Sequence, residues 1–300
     1  MIKIGIGLNG VSYSPEAYAY RKFLVDRGYF VQLALVNEVD PNNDLNIFFM
    51  GIKPFWKRKL GRAVEIHEYQ SLSTPPYSRV KDILKGVISK SPNGRIFLND
   101  DVKDNFYFIQ KKESINRDMG VDEGLFQKKS LKPEYDIIYS GSISGRVGVV
   151  EELSRLACIG FKLLVIGDVT SQVKNDIKRL GSVHFTGRVS REELPSLYNK
   201  AKAGLNYTPD IYPFNIQTST KSLEYLASGL TLISNKYGWS EKFVATHNIP
   251  VIWTDNITNV ESFNQHIDTA KDVDMSEYNW ESVLKKSRFE EFISNSLKNK

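Results

Sequence analysis

The sequence predicts an α/β protein made of two adjacent, doubly wound, Rossmann-like domains, and three observations carry that expectation. Apolar runs alternate with helical patterns along most of the chain, several runs are apolar throughout as buried parallel strands are, and 300 residues suffice for two ordinary domains. In the second half the candidate strands are YDIIYS, KLLVIGD, VHFTG, AGLNY, LTLIS and PVIW, with helical stretches between them at 149–157, 171–180, 191–201, 220–228 and 240–246. The first half alternates less cleanly: KIGIG, YFVQLALV, LNIFFMG, AVEIH and RIFLN read as strands, and 15–27 and 78–89 as helices. Residues 110–134 are charged and lack a clear period, which places the boundary near Glu134. The expected division is therefore 1–134, 135–275 and a helical tail, 276–300. Trp280, Val283, Leu284, Phe289, Phe292 and Ile293 supply the tail's apolar contacts, directed back towards the first domain.

Composition narrows the classes. With 41% hydrophobic and 25% charged residues the chain is globular rather than disordered. No run approaches the roughly 18 apolar residues of a membrane helix. The start, MIKIGIGLNGVSY, reads as a strand entering a turn rather than as a signal peptide, so a cytoplasmic location is expected. The single cysteine, Cys158, cannot form an internal disulfide and reads as a small buried hydrophobe. No His and Cys cluster has zinc spacing and no Ser, His and Asp arrangement stands out. Asn99-Asp100-Asp101 reads as a helix cap followed by first-turn acids rather than as a metal motif.

Charge is unevenly placed. Residues 1–134 carry 21 Lys and Arg against 16 Asp and Glu, so the whole net charge of +5 resides there. Its densest part is KPFWKRKLGR, where Lys53, Lys57, Arg58 and Lys59 interleave with Phe55 and Trp56. Such a patch suits an anionic membrane surface, with rings at the interface and cations on the phosphates. A solvated loop and a nucleic-acid contact are the alternatives, and no nucleic-acid-binding motif accompanies the patch.

The segment PDIYPFNIQTSTKSLEYLASG is the most informative. Thr218, Ser219 and Thr220 can cap a helix start, Leu223, Leu226 and Ala227 recur at helical spacing, and Gly229 is a stop. Lys221 is the wrong charge for a helix N-terminus, where the macrodipole is positive, which points to an anion at that end. Glu224, one turn on, could then accept from a sugar or ribose hydroxyl; the plain alternative is a solvated i,i+3 pair. After the first strand of the second half, GSISGRVG offers small residues, Gly141 and Ser142 among them, and the permanent charge of Arg146. GLNGVSYS, with Gly7 and Gly10, stands in the same position in the first half, either as a source of amides or as a simple turn. His67, between Glu65 and Glu68, is read at the end of its strand, facing a ligand cleft or capped within the fold.

Taken in order, YSGSISGRVGVVEELSRL, KLLVIGD, VHFTGRVSREELPSLYNKAKAGLNYTP and STKSLEYLASGLTLISN resemble the C-terminal half of retaining, nucleotide-sugar-dependent glycosyltransferases of the GT-B fold, family 4. The resemblance spans about residues 137–238 and is weaker before, where RIFLNDDVKDNF and RDMGVDEGLF carry it. It implies two Rossmann-like domains facing each other across a donor-binding cleft, and transfer of a hexose from a nucleotide diphosphate sugar without a metal or other cofactor. Arg146 and Lys221 would hold the diphosphate, Glu224 the ribose, and the backbone at Gly187 and Arg188 would border the base. The loop 210–219, with Asn215, Gln217, Thr218 and Ser219, would cover phosphates and sugar, and His67 would approach the donor sugar. The acceptor would be a glycan, lipid-linked, in bacterial surface polysaccharide or lipopolysaccharide assembly at the inner membrane face. Two departures stand out: Ile216 occupies the position of the first of two family glutamates, and Val147-Gly148 replaces a Lys-Gly pair. An epimerase or hydrolase of the same fold, and a non-catalytic nucleotide-sugar-binding protein, are the alternative functions.

Overall fold

The computed structural model describes residues 1–10, 14–49, 61–143 and 146–298. The cationic aromatic patch, Lys53 to Lys59, lies outside the described residues. The chain opens with β1 (Lys3–Leu8), α1 (Pro15–Val25), β2 (Phe30–Leu35), β3 (Leu45–Phe49), β4 (Val64–Tyr69), α2 (Ser78–Ile88), β5 (Gly94–Phe97), α3 (Asp100–Asp104) and β6 (Glu113–Asn116). It continues with β7 (Tyr135–Ser140), α4 (Val149–Ile159), β8 (Leu163–Ile166), α5 (Ser171–Lys178), β9 (Val183–Gly187), α6 (Leu194–Tyr198) and β10 (Ala201–Asn206). Then come α7 (Thr220–Ala227), β11 (Thr231–Ser234), α8 (Gly238–His247), β12 (Val251–Trp253), α9 (Val260–Thr269), α10 (Trp280–Lys286) and α11 (Phe289–Lys298).

The chain divides into two compact units, 1–122 with 216–218 and 278–300, and 123–215 with 219–277. The division after Asp122 precedes the expected boundary at Glu134, because Ser228 Oγ donates to the carbonyl of Leu125 and so ties that segment to the second unit. Each unit holds a six-stranded, all-parallel sheet, ordered β2-β1-β3-β4-β5-β6 in the first and β12-β11-β10-β7-β8-β9 in the second. In the first core Ile4, Ile6, Ile47 and Ile66 of the sheet meet Tyr20, Phe23 and Leu24 of α1 and Leu284, Phe289, Phe292 and Ile293 of the tail. The tail thus completes the first unit's hydrophobic core.

The first unit also buries a charged network. Arg117, fully buried, donates to Glu68 and, through Nε, to the Tyr20 hydroxyl at 2.7 Å, while that hydroxyl donates to Glu68 Oε2 at 2.7 Å. Gln70 Nε2 bridges Glu68 Oε1 at 3.0 Å and the carboxylate of Glu16. Burial, reinforced by the charge of Glu68, pushes the Glu16 carboxyl above its ordinary pKa.

Two sequence expectations change here. Cys158 is exposed: α4 turns Leu153, Leu156 and Ala157 into the core, and the next residue falls on the outer face. His67 lies within β4 rather than at its end, fully buried and edge-on to Phe48 at 6.5 Å, because the strand continues through Glu68 and Tyr69. Asn99 caps α3 as expected, its side chain accepting from the Val102 N–H at 2.9 Å.

Candidate functional site

In the second unit the strand order reverses beside β7, which has β8 on one side and β10 on the other. Open parallel sheets bind ligands outside the carboxyl ends of their strands at such a switch point. The loops there follow Ser140 and Asn206, and the second leads into α7. Ser219 caps α7, accepting from the Ser222 N–H at 3.3 Å and donating to Asn206 Oδ1 at 3.0 Å, so the helix start is fixed to the end of β10.

Lys221 follows one residue inside that helix. Its Nζ lies 3.2 Å from the Tyr139 hydroxyl and 4.4 Å from the Tyr139 ring centroid; the hydroxyl in turn donates to the Ser142 carbonyl at 2.8 Å. The lysine crosses Gly141, where a Cβ would meet Lys221 Cε at 2.6 Å, and the φ of +130° there disfavours any side chain. Among the described residues no carboxylate forms a close ion pair with Lys221 or Arg146, and the charge of Glu224 offsets only part of the Lys221 shift. Burial, with the charge of Arg146 next in importance, lowers the Lys221 pKa from 10.5 to about 7. Burial likewise raises the Tyr139 pKa to about 12, so its hydroxyl stays protonated. A partly buried lysine near the charge of Arg146 at a capped helix start is an arrangement that favours an anion.

Glu224 is 5% exposed and belongs to no solvated pair. Its Oε1 accepts from Arg191 Nη2 at 2.7 Å and its Oε2 lies 3.3 Å from the Tyr198 hydroxyl. Tyr198 and Tyr225 converge on Ser140, with hydroxyls 2.7 Å and 3.1 Å from its Oγ, and Tyr225 also accepts from the Ser140 N–H at 2.9 Å. Three elements, β7, α6 and α7, are thus joined by one hydrogen-bond chain that ends on the Glu224 carboxylate. The sequence reading had not singled out Arg191, Tyr139, Tyr198 or Tyr225. Arg191 carried a signal all the same, being a cation in the first turn of a helical segment, the same anomaly that marked Lys221.

The remaining expected residues are distributed as follows. Gly187 ends β9 at φ +76°, and its carbonyl accepts from the Gly167 N–H at 2.9 Å. Arg188 is exposed and pairs with Asp168 at 2.5 Å. The Oδ1 of Asn215 is buried without a hydrogen-bond partner among the described residues, an acceptor a ligand could satisfy. Gln217 and Thr218 group with the first unit, where Thr218 Oγ1 donates to Asp118 at 2.8 Å. Gly7 falls inside β1, where a Cβ would meet the Phe48 ring at 2.8 Å, and a Cβ on Gly10 would lie 3.2 Å from Leu35 Cδ2. Among the described residues no three His, Cys, Asp or Glu side chains gather at a metal-binding spacing, and no helix is long and apolar enough to cross a membrane.

Gly141→Ala should displace Lys221 and lower any activity of this site by at least tenfold while leaving the fold intact. Activity at the wild-type level in a folded Gly141→Ala protein would mean that the position of Lys221 is unimportant.

No protein-family model and no curated protein matches the sequence. Solved structures do match over the whole length. AviGT4, a glycosyltransferase involved in avilamycin A biosynthesis, is 13% identical with a TM-score of 0.64, covering 100% of this chain and 99% of its own. HepE from Anabaena, in complex with UDP-glucose, is 11% identical with a TM-score of 0.60 and covers all of both chains. The DNA-modifying enzyme β-glucosyltransferase is 16% identical with a TM-score of 0.55, covering 99% of this chain and 100% of its own; T4 phage BGT is also matched in complex with UDP and Mn²⁺. The chain has the GT-B fold, with two Rossmann-like units.

Proposed function

We propose that the protein is a retaining glycosyltransferase that moves a hexose from a nucleoside diphosphate sugar to a glycan hydroxyl. The observation that carries this reading is the arrangement at the switch point of the second unit, where Lys221 feels the charge of Arg146 and the anchored, buried carboxylate of Glu224 follows one turn on in the same helix. Arg146 and Lys221 hold the diphosphate, Glu224 accepts from the ribose hydroxyls, and Gly187 and Arg188 border the base. The UDP or UDP-glucose in several similar structures makes uridine diphosphate sugars the first donors to test.

The chemistry this site can assist is leaving-group departure. The bond between the anomeric carbon and the β-phosphate oxygen breaks, the acceptor oxygen takes the carbon on the same face, and its proton passes to the diphosphate. Fixed positive charge placed where negative charge develops is the largest single lever available to an enzyme. Asn215 Oδ1 is an acceptor for a donor-sugar hydroxyl, and Ile216, which cannot accept, leaves that task to its neighbour. The acceptor is a lipid-linked glycan of bacterial surface polysaccharide, the cationic patch of residues 53–59 holding the protein at the inner membrane face.

Incubation of UDP-, GDP-, ADP- and dTDP-hexoses with lipid-linked glycan acceptors tests the proposal. The expected result is nucleoside diphosphate release that depends on acceptor, with the donor's anomeric configuration kept in the product. Release at the same rate without acceptor would mark a hydrolase or epimerase instead. Thermal stabilisation by a donor without any turnover would mark a binding protein.

A further inference from the structure

We infer that Arg191 is the positioning residue that sets selectivity for the ribose of the donor, acting through Glu224; the inference rests on the proposed binding of a nucleoside diphosphate at this site. A carboxylate isolated by burial faces a large desolvation cost and is held only by a charged, well-directed partner. Glu224 has that partner in Arg191, whose side chain is about one-fifth exposed while that of Glu224 is 6% exposed. The guanidinium is thus the more exposed partner of the pair.

Its placement is built in by local structure. Arg191 opens a short 3-10 turn whose start is tied by a capping box, the Ser190 N–H donating to Glu193 Oε2 at 2.8 Å. That turn leaves the carboxyl end of β9 four residues after Gly187, the strand end assigned to the base, so Arg191 reaches α7 from the nucleoside side. Tyr198, fully buried on the following helix, sits near the second carboxylate oxygen at 3.3 Å and is itself fixed by Ser140 at 2.7 Å. With one oxygen on Arg191 and the other beside Tyr198, the plane of the Glu224 carboxyl is determined before a ligand arrives. An ionised carboxyl has about four acceptor positions, so a group anchored in this way can still accept from a vicinal diol. A site built to hydrogen-bond a hydroxyl discriminates strongly against the analogue that lacks it, because its polar groups are then left unsatisfied.

The function divides cleanly from that of the cations. Arg146 and Lys221 recognise the diphosphate, which ribo- and deoxynucleotides share. Arg191 acts only on the part of the ligand that distinguishes them. Loss of Arg191 should therefore reduce affinity for ribonucleotides selectively, whereas a merely structural role would weaken every ligand alike.

The test is a calorimetric titration of UDP, GDP, ADP and CDP, each with its 2′-deoxy and 3′-deoxy counterparts, into wild type, Arg191→Ala, Arg191→Lys and Tyr198→Phe. Wild type should prefer one or more ribonucleoside diphosphates over a deoxy counterpart by tenfold or more. Arg191→Ala should bind the ribo form at least fivefold more weakly and the deoxy form unchanged, and Arg191→Lys should recover part of the preference. Should Arg191→Ala fail to fold, Arg191→Lys and Tyr198→Phe read the same ratio, each with a reduced preference. Equal weakening of ribo and deoxy forms, or an undiminished preference, overturns the role of Arg191 while leaving the nucleotide site in place. Equal binding of ribo and deoxy forms by wild type overturns the ribose role of Glu224 and with it this inference. Binding of none of these nucleotides overturns the proposed function as well.

Discussion

Lys221→Met should lower sugar transfer by about 10²- to 10³-fold, the loss typical of removing one preorganised group from developing transition-state charge. Methionine keeps the apolar volume over Gly141 and against the Tyr139 ring, so the fold should be retained. The lysine also gives the reaction a pH signature. Burial and the neighbouring Arg146 bring its pKa to about 7 in the ligand-free protein, so above that pH the amine is mostly neutral. A bound diphosphate restores the charge, and binding must then take up a proton. Donor affinity should be highest below about pH 7 and fall as pH rises, and the proton uptake should vanish in Lys221→Met. Calorimetric titration at pH 8 in buffers of different ionisation enthalpy measures the uptake directly. The contribution of Lys221 to ligand-free stability runs the other way: between about pH 7 and 10.5 the unfolded chain binds more protons at this group than the native chain, so this contribution rises with pH.

Arg117→Met should destabilise the protein by about 3–5 kcal/mol, the range for removing one partner of a buried ion pair. Burial by itself opposes a charged Arg117; the charge of Glu68, with Tyr20 and Glu16 behind it, outweighs that cost and raises its pKa above the ordinary value. Deleting the arginine leaves Glu68, which is 0% exposed, without its cation and close to the already desolvated Glu16. The double variant Arg117→Met with Glu68→Leu should recover most of the loss, since apolar replacement of a whole buried pair is often neutral or better. Urea unfolding followed by circular dichroism measures both. A single variant within about 1 kcal/mol of wild type would show that the network contributes little.

The second unit was legible because β7, β8, β10 and β11 are buried parallel strands whose apolar runs stand out between amphipathic helices. β6, ESIN, was not, since it is an edge strand with no fully buried residue and so shows no apolar run. α9 was missed for a related reason: of its ten residues only Phe263 and Ile267 are buried, too few to mark a period. Within the site, Lys221 was visible as a charge at odds with the helix dipole, a local property. Lys221 and Glu224 do not form the solvated i,i+3 pair that the sequence leaves open, because α7 is covered on nearly all sides, from Ser222 to Ala227. The partners of Glu224 and Lys221 come from 26 to 82 residues away, at Tyr198, Arg191 and Tyr139, and only the strand order places them together. His67 was misplaced by two residues of strand extent, enough to move it from a strand end into the sheet.

Lys221 and Glu224 should together form a nucleoside diphosphate site at the switch point of the second unit. Titration of UDP, GDP, ADP and CDP into wild type, Lys221→Met and Glu224→Ala at pH 7 tests it most directly. Wild type should bind at least one nucleotide saturably and both variants should bind it at least tenfold more weakly; undiminished affinity in the two folded variants, or no binding by wild type, would exclude such a site.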